Sequence, residues 1–214
     1  MITVSQAIEE QIKDSPFIEE ALCQGLINLS SLARKLKPQI EKKLVKDVQN
    51  GAIVMALKRL EVKLKDKQSP LKPILDNLGD ITVRSNICEF TFENSSTLLK
   101  NQAQLLLRII DSKNTFLAIT DGVFETTIFA SLNLKQLIEE VYKEEKLKTK
   151  QENLSSITIV IPEEATYVPG VYYSILKKLA WEGINFIEVV SSYTELTIFL
   201  ESKNIDRAFS ALKN

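Results

Sequence analysis

The sequence predicts an α+β protein: an all-helical N-terminal part followed by two copies of a β-α-β-β-α unit. Three observations predict it. Apolar residues recur at helical spacing as far as Leu64, the period shortens to that of strands beyond a proline-bearing stretch, and the strand pattern then occurs twice. The expected divisions are a helical domain over residues 1–66, a linker over 67–79, a first repeat over 80–147 and a second over 153–214.

The helices are read from spacing and end signals. Val4, Ala7, Ile8 and Ile12 form one apolar stripe; Phe17, Ile18, Ala21 and Leu22 form a second; Ala52, Ile53, Ala56, Leu57 and Leu60 form a third. Ser30 is an expected N-cap for a helix through Leu32 and Ala33, Pro38 an expected stop after Leu36, and Asn50-Gly51 the punctuation before the last helix. Pro70 and Pro73 among polar neighbours then mark the linker.

Beyond it, strands are expected at 81–83, 87–92, 116–119 and 126–129, with helices at 96–110 and 134–142. Residues 143–152 are charged and poor in strand formers, so they extend the helix or form a solvated connector. The order then recurs, with strands at 157–161, 186–190 and 195–200 and helices at 169–182 and 205–212. Laying 115–131 over 185–201 at an offset of 70 gives five identities without a gap: Phe116/Phe186, Glu125/Glu195, Thr127/Thr197, Ile128/Ile198 and Phe129/Phe199. Roughly one is expected by chance at ordinary residue frequencies. Duplication explains the rest, and each unit makes most of a ferredoxin-like fold. Glu125 and Glu195 read equally as solvated hairpin residues or as functional ones.

In the second copy Val168-Pro169-Gly170-Val171 opens the first helix, Gly183-Ile184-Asn185 opens the second strand, and Thr194-Glu195-Leu196 opens the third. This resembles the ACT domain, and more narrowly the tandem regulatory ACT pair of aspartate kinases, over about 60 residues. The resemblance implies two ferredoxin-like ACT repeats, an amino-acid ligand, and ligand contacts from Tyr167, Val168, Pro169, Gly170, Val171, Asn185, Phe186 and Ile187. The residues admit the same chemistry independently, since a glycine at a strand-to-helix turn lets a ligand reach the backbone and free N–H groups at a helix start attract a carboxylate, but Pro169-Gly170 reads equally as no more than a tight turn. The first copy carries Asn94-Ser95-Ser96 where Pro-Gly is expected. It is expected to bind the ligand weakly or not at all.

Composition excludes much else. The 214 residues are 44% hydrophobic and 26% charged with a net charge of -1, the balance of a folded protein with no global field for nucleic acid or anionic membrane. The absence of histidine removes triads, imidazole acid/base catalysis and the commonest metal ligand. Cys23 and Cys88 form no Cys-x-x-Cys pair and read as buried fillers in a reduced, cytoplasmic setting; no metal and no cofactor is expected. The N-terminus lacks a signal-peptide pattern, and the longest uncharged run has 13 residues, too short to span a membrane. Gly25, Gly51 and Gly79 stand isolated, so there is no phosphate loop, and the region before the repeats is too short for a kinase domain. No catalytic residue is assigned.

The stretch Ile27-Asn28-Leu29-Ser30-Ser31-Leu32-Ala33-Arg34-Lys35-Leu36, with the later 50–60 helix, resembles a helix-turn-helix or winged-helix module. Residues 34–67 hold eleven basic against four acidic side chains, and Arg34, Lys35, Lys58 and Arg59 are the candidate nucleic-acid contacts. A solvated lysine-rich face of a docking domain fits the same residues. Three functions stay open: a metabolite-sensing regulator without catalysis, a DNA-binding transcription regulator, and an interaction module that only dimerises. A homodimer through the repeats is expected, because the second copy lacks a closing strand of its own and strand 157–161 needs its edge covered by the other copy or by a second chain.

Overall fold

Thr3 starts the first helix by a capping box: its hydroxyl accepts the Gln6 backbone N–H at 3.2 Å while the Gln6 side chain accepts the Thr3 N–H at 2.9 Å. In this computed structural model, which describes residues 2–68, 71–112 and 115–213, that helix is α1 (Val4–Lys13). Then come α2 (Pro16–Cys23), α3 (Leu29–Leu44) and α4 (Asn50–Gln68). Their apolar stripes meet in one core that includes Ile8, Ile12, Leu22, Leu36, Ile40, Ile53, Leu57 and Leu64. Cys23 is buried at its edge and Cys88 in the sheet described below.

Two end signals act differently from the sequence expectation. Asn28, not Ser30, caps α3, accepting the Ser31 N–H at 3.0 Å. Pro38 lies inside α3 and does not stop it. Its ring is on the exposed face, so the carbonyl it leaves unbonded is open to water, while Leu36 and Ile40 on either side are buried. Burial of the stripe outweighs the lost hydrogen bond.

The chain divides into two compact units, Met1–Pro73 and Ile74–Asn214. Residues 67–79, expected as linker, contain a helix, α5 (Leu71–Asp76); Ser69 and Pro70 lie outside the described residues.

The second unit is built from β1 (Ile81–Glu93), α6 (Leu98–Ile109), β2 (Leu117–Asp121), β3 (Glu125–Ser131) and α7 (Lys135–Val141). It continues through β4 (Leu147–Val160), α8 (Val171–Trp181), β5 (Glu188–Ser191), β6 (Glu195–Glu201) and α9 (Ile205–Lys213). The six strands form one antiparallel sheet in the order β2-β3-β1-β4-β6-β5. The β-α-β-β-α order therefore occurs twice, and the two copies sit side by side through β1 and β4.

Those two strands are longer than expected and each serves both copies. Residues 81–84 pair with 156–159 of the second copy, and residues 87–93 pair with β3 of the first; β4 does the converse. Asn86 (φ 58°) and Asn153 (φ 57°) adopt left-handed backbone where the register shifts, so the two strands expected at 81–83 and 87–92 are one strand with an irregularity between them. The charged residues 143–152 were expected as helix or connector, yet β4 begins at Leu147. Ion pairs of Lys148 with Glu125 and of Lys146 with Glu93 hold this polar half-strand in place of apolar alternation. The edge of 157–161 is covered by β1 of the same chain, so it no longer calls for a second one.

One sheet face carries the helices. Cys88, Phe90, Phe92, Ile128 and Ala130 pack beneath Leu98 and Leu105 of α6 and Ile138 of α7. On the opposite face Ile87, Phe129, Leu154 and Phe199 are fully buried, and among the described residues their cluster takes in no helix residue. The sheet curls around them. Phe129 stacks on Phe199 at 3.9 Å between ring centroids although two strands lie between β3 and β6, and Phe116 reaches Phe199 at 5.9 Å. The two edge strands also meet electrostatically, the Thr120 hydroxyl of β2 favouring the charged form of Glu188 of β5. The cross-strand pair Ile87 and Leu154 and the stacked phenylalanines each join matching positions of the two β-α-β-β-α units, which places a local two-fold inside this curl.

Candidate ligand site

The second copy enters α8 through residues 161–170, which include a 3-10 turn at Glu163–Tyr167. Gly170 is the N-cap, with φ 95° and ψ -2°, a left-handed conformation that glycine adopts without strain. No side chain caps this end, and the first bond of the helix is Ser174 N–H to the Gly170 carbonyl at 2.9 Å. The N–H groups of Val171, Tyr172 and Tyr173 thus have no helical acceptor. Pro169 is exposed and stands two residues before the helix, so the expected start at residue 169 moves to Val171. Tyr167 is 81% exposed, Val168 half-buried, and Tyr172 and Tyr173 exposed beside the opening; the Lys177 ammonium lies 5.7 Å from the Tyr173 ring.

The eight candidate residues do not form one cluster. Tyr167, Val168, Pro169, Gly170 and Val171 gather at the start of α8, whereas Asn185, Phe186 and Ile187 follow its far end, roughly 16 Å away at 1.5 Å per residue. Gly183 (φ 65°) ends the helix, with its N–H on the Ala180 carbonyl and that of Ile184 on Leu179, which accounts for Gly183-Ile184-Asn185 as a helix stop. Asn185 is exposed and Phe186 half-buried, while Ile187 packs into the curl of the sheet and Val171 is buried.

The first copy fills the equivalent place with its own carboxylate. At the start of α6, Glu145 accepts hydrogen bonds from the Ser95 hydroxyl (2.6 Å), the Thr97 hydroxyl (2.6 Å) and the Asn101 amide (2.7 Å). Asn94 is tied away, donating to the Gly122 carbonyl and accepting from Thr126. Sequence reading passed over Glu145 because its partners lie 44 to 50 residues upstream. Glu125 and Glu195 occupy matching hairpin positions, each with its carbonyl accepting across the turn from Gly122 and Ser192 respectively. Glu125 also pairs with Lys148.

In the helical unit, Arg34 and Lys35 on α3 and Lys58 and Arg59 on α4 are exposed and have no acidic partner among the described residues. Lys37, Lys43, Lys63 and Lys65 are paired with Glu41, Glu10, Glu9 and Glu61, which weakens the basic field counted from sequence. Among the described residues there is no group of three or more acidic or thiol side chains fit to hold a metal, and no helix is long and apolar enough to cross a membrane.

No family model matches the chain, and no curated protein does. Among solved structures it resembles the ligand-free regulatory subunit of aspartate kinase from Thermus thermophilus, with a TM-score of 0.53 and 13% identity over 64% of this chain and 96% of that one. It also resembles the aspartate kinase of Clostridium acetobutylicum (0.52, 15%, 63% of this chain) and the aspartokinase alpha and beta subunits (0.51, 17%, 63% of this chain and 95% of that one). It spans 34% of the Clostridium enzyme. Most of the chain thus shares the α+β fold of aspartate kinase regulatory domains.

Proposed function

We propose that this chain is a regulatory protein without catalysis, whose second copy binds a small carboxylate, an amino acid foremost, and whose N-terminal helices pass the signal on. The start of α8 carries the proposal: it is uncapped, entered by a left-handed glycine, and equivalent to the place where the first copy seats the Glu145 carboxylate. A carboxylate is favoured there by the helix dipole and the unbonded N–H groups. The likeness to kinase regulatory domains supports the same reading. Asn185 and Phe186, being remote from Gly170 in one chain, join a ligand only if a second protomer brings them. We therefore keep the homodimer as part of the proposal, and sedimentation of the full chain as a monomer at micromolar concentrations overturns that part.

A thermal-shift screen of the twenty amino acids tests the site. At saturation one of them raises the melting temperature by roughly 5–10 °C, and Gly170→Val, folded by circular dichroism, loses the rise. An unchanged rise in the variant removes the site from α8. The exposed, unpaired Arg34, Lys35, Lys58 and Arg59 support a second reading, a DNA-binding regulator, whose distinguishing result is salt-dependent binding to duplex DNA.

A further inference from the structure

Inside the curl, Glu89 of β1 is 3% exposed. One of its carboxylate oxygens accepts from the Thr91 hydroxyl (2.5 Å) and the Thr149 hydroxyl (2.8 Å). Its other oxygen, equally buried, has no hydrogen-bond partner among the described residues. Thr127 lies 3.0 Å from Thr91, and since Thr91 gives its proton to Glu89, Thr127 donates to Thr91. Thr120, Thr127, Thr91 and Thr149 are register partners, forming a row of hydroxyls across four strands.

Glu188 approaches this row from the opposite edge of the sheet, where the Thr120 hydroxyl favours its charged form. Burial pushes its carboxyl above the usual range, and the negative charges of Glu89 and Glu125 push it further. Glu125 is paired with Lys148, and the Arg84 guanidinium on this face lies over the Phe116 ring at 5.5 Å. The fold itself does not need these acids. Glu89 is the register partner of Phe129 as Ser156 is of Phe199, and Glu188 is the partner of Phe199 as Ala118 is of Phe129. The duplicated half builds the same positions with a serine and an alanine. The buried second oxygen of Glu89 thus has neither a hydrogen bond nor an ion pair among the described residues, and the neighbouring charge of Glu188 has the same sign.

We propose that Glu89 and Glu188, with the hydroxyls of Thr91, Thr149 and Thr120, bind a small monovalent cation, an alkali ion or an ammonium group, inside the curled sheet. Oxygen-only ligands suit a hard ion. Two carboxylates are few for a divalent site of the kind that gathers several acidic ligands, which favours a single charge. The site is separate from the start of α8 and does not depend on that assignment.

The test uses the full chain at constant ionic strength, comparing its melting temperature in potassium, sodium, ammonium and choline chloride. At least one of the three small cations raises it by roughly 3–6 °C over choline, whose three methyl groups keep carboxylate oxygens from its charge. The rise disappears in Glu89→Gln and in Glu188→Gln. If Glu89→Gln fails to fold, Glu188→Gln at its half-buried position carries the comparison, with sodium-23 line broadening of the native chain as a second reading of occupancy. Methylammonium chloride separates the sources, since a rise with it marks an amine headgroup and its absence an alkali ion. Equal melting temperatures in all four salts overturn the proposal, as does a rise retained in the variants. Stability that ignores the cation but climbs with acidification also overturns it, because a shared proton then neutralises the pair.

Discussion

Replacing Phe199 by Ala lowers the stability of the second unit by about 3–5 kcal/mol, the range for emptying a large aromatic site in a closed core. Phe199 is fully buried, stacks on Phe129 and touches Phe116 across the curl. Protein interiors relax only partly around a missing ring, so a cavity stays between the edge strands. Phe129→Ala is expected to cost a similar amount, and the double variant about 1–3 kcal/mol less than the sum of the two, because both rings line one cavity. Urea unfolding measures all three. Additive losses, or a cost below about 1 kcal/mol for either ring, refute the curl, since rings on a flat sheet would stand apart on β3 and β6 with two strands between them.

The same residues show what the sequence discloses. Phe116, Phe129 and the hairpins that carry them were legible because the same residues recur at one offset, and for Phe129 and Phe199 the structure gives a reason: each ring packs on its counterpart. The helices of the first unit were legible because their stripes face a single core. The first half of β4 was not, because its neighbours are held by charge pairs instead of alternating apolar side chains. Nor was the continuity of α3 through Pro38, which depends on which helix face meets water. For the candidate site, Pro169 and Gly170 were legible as a turn before a helix. Separation of Asn185 from that turn follows from the length of α8, and the roles of Glu145, Glu89 and Glu188 follow from contacts between distant strands and loops, which periodicity does not encode.

Replacing Glu145 by Ala is expected to lower stability by about 1–2 kcal/mol and to create a carboxylate response that the native first copy lacks. Three donors converge on this side chain at the first turn of α6, from Ser95, Thr97 and Asn101. Without it the three donors and the positive end of the helix dipole lose the carboxylate they hold. Millimolar acetate should then stabilise the variant more than it stabilises the native chain, while chloride at equal ionic strength should not. Glu145→Gln, which keeps the shape and removes the charge, should fall between. A neutral Glu145→Ala, or an acetate response equal to that of the native chain, rules out this role for Glu145. Paired with Gly170→Val, the experiment separates the two helix starts: one variant gains a carboxylate response at α6 and the other loses one at α8. That pairing makes the difference between the two helix starts measurable, one holding the Glu145 carboxylate and the other proposed to take a ligand.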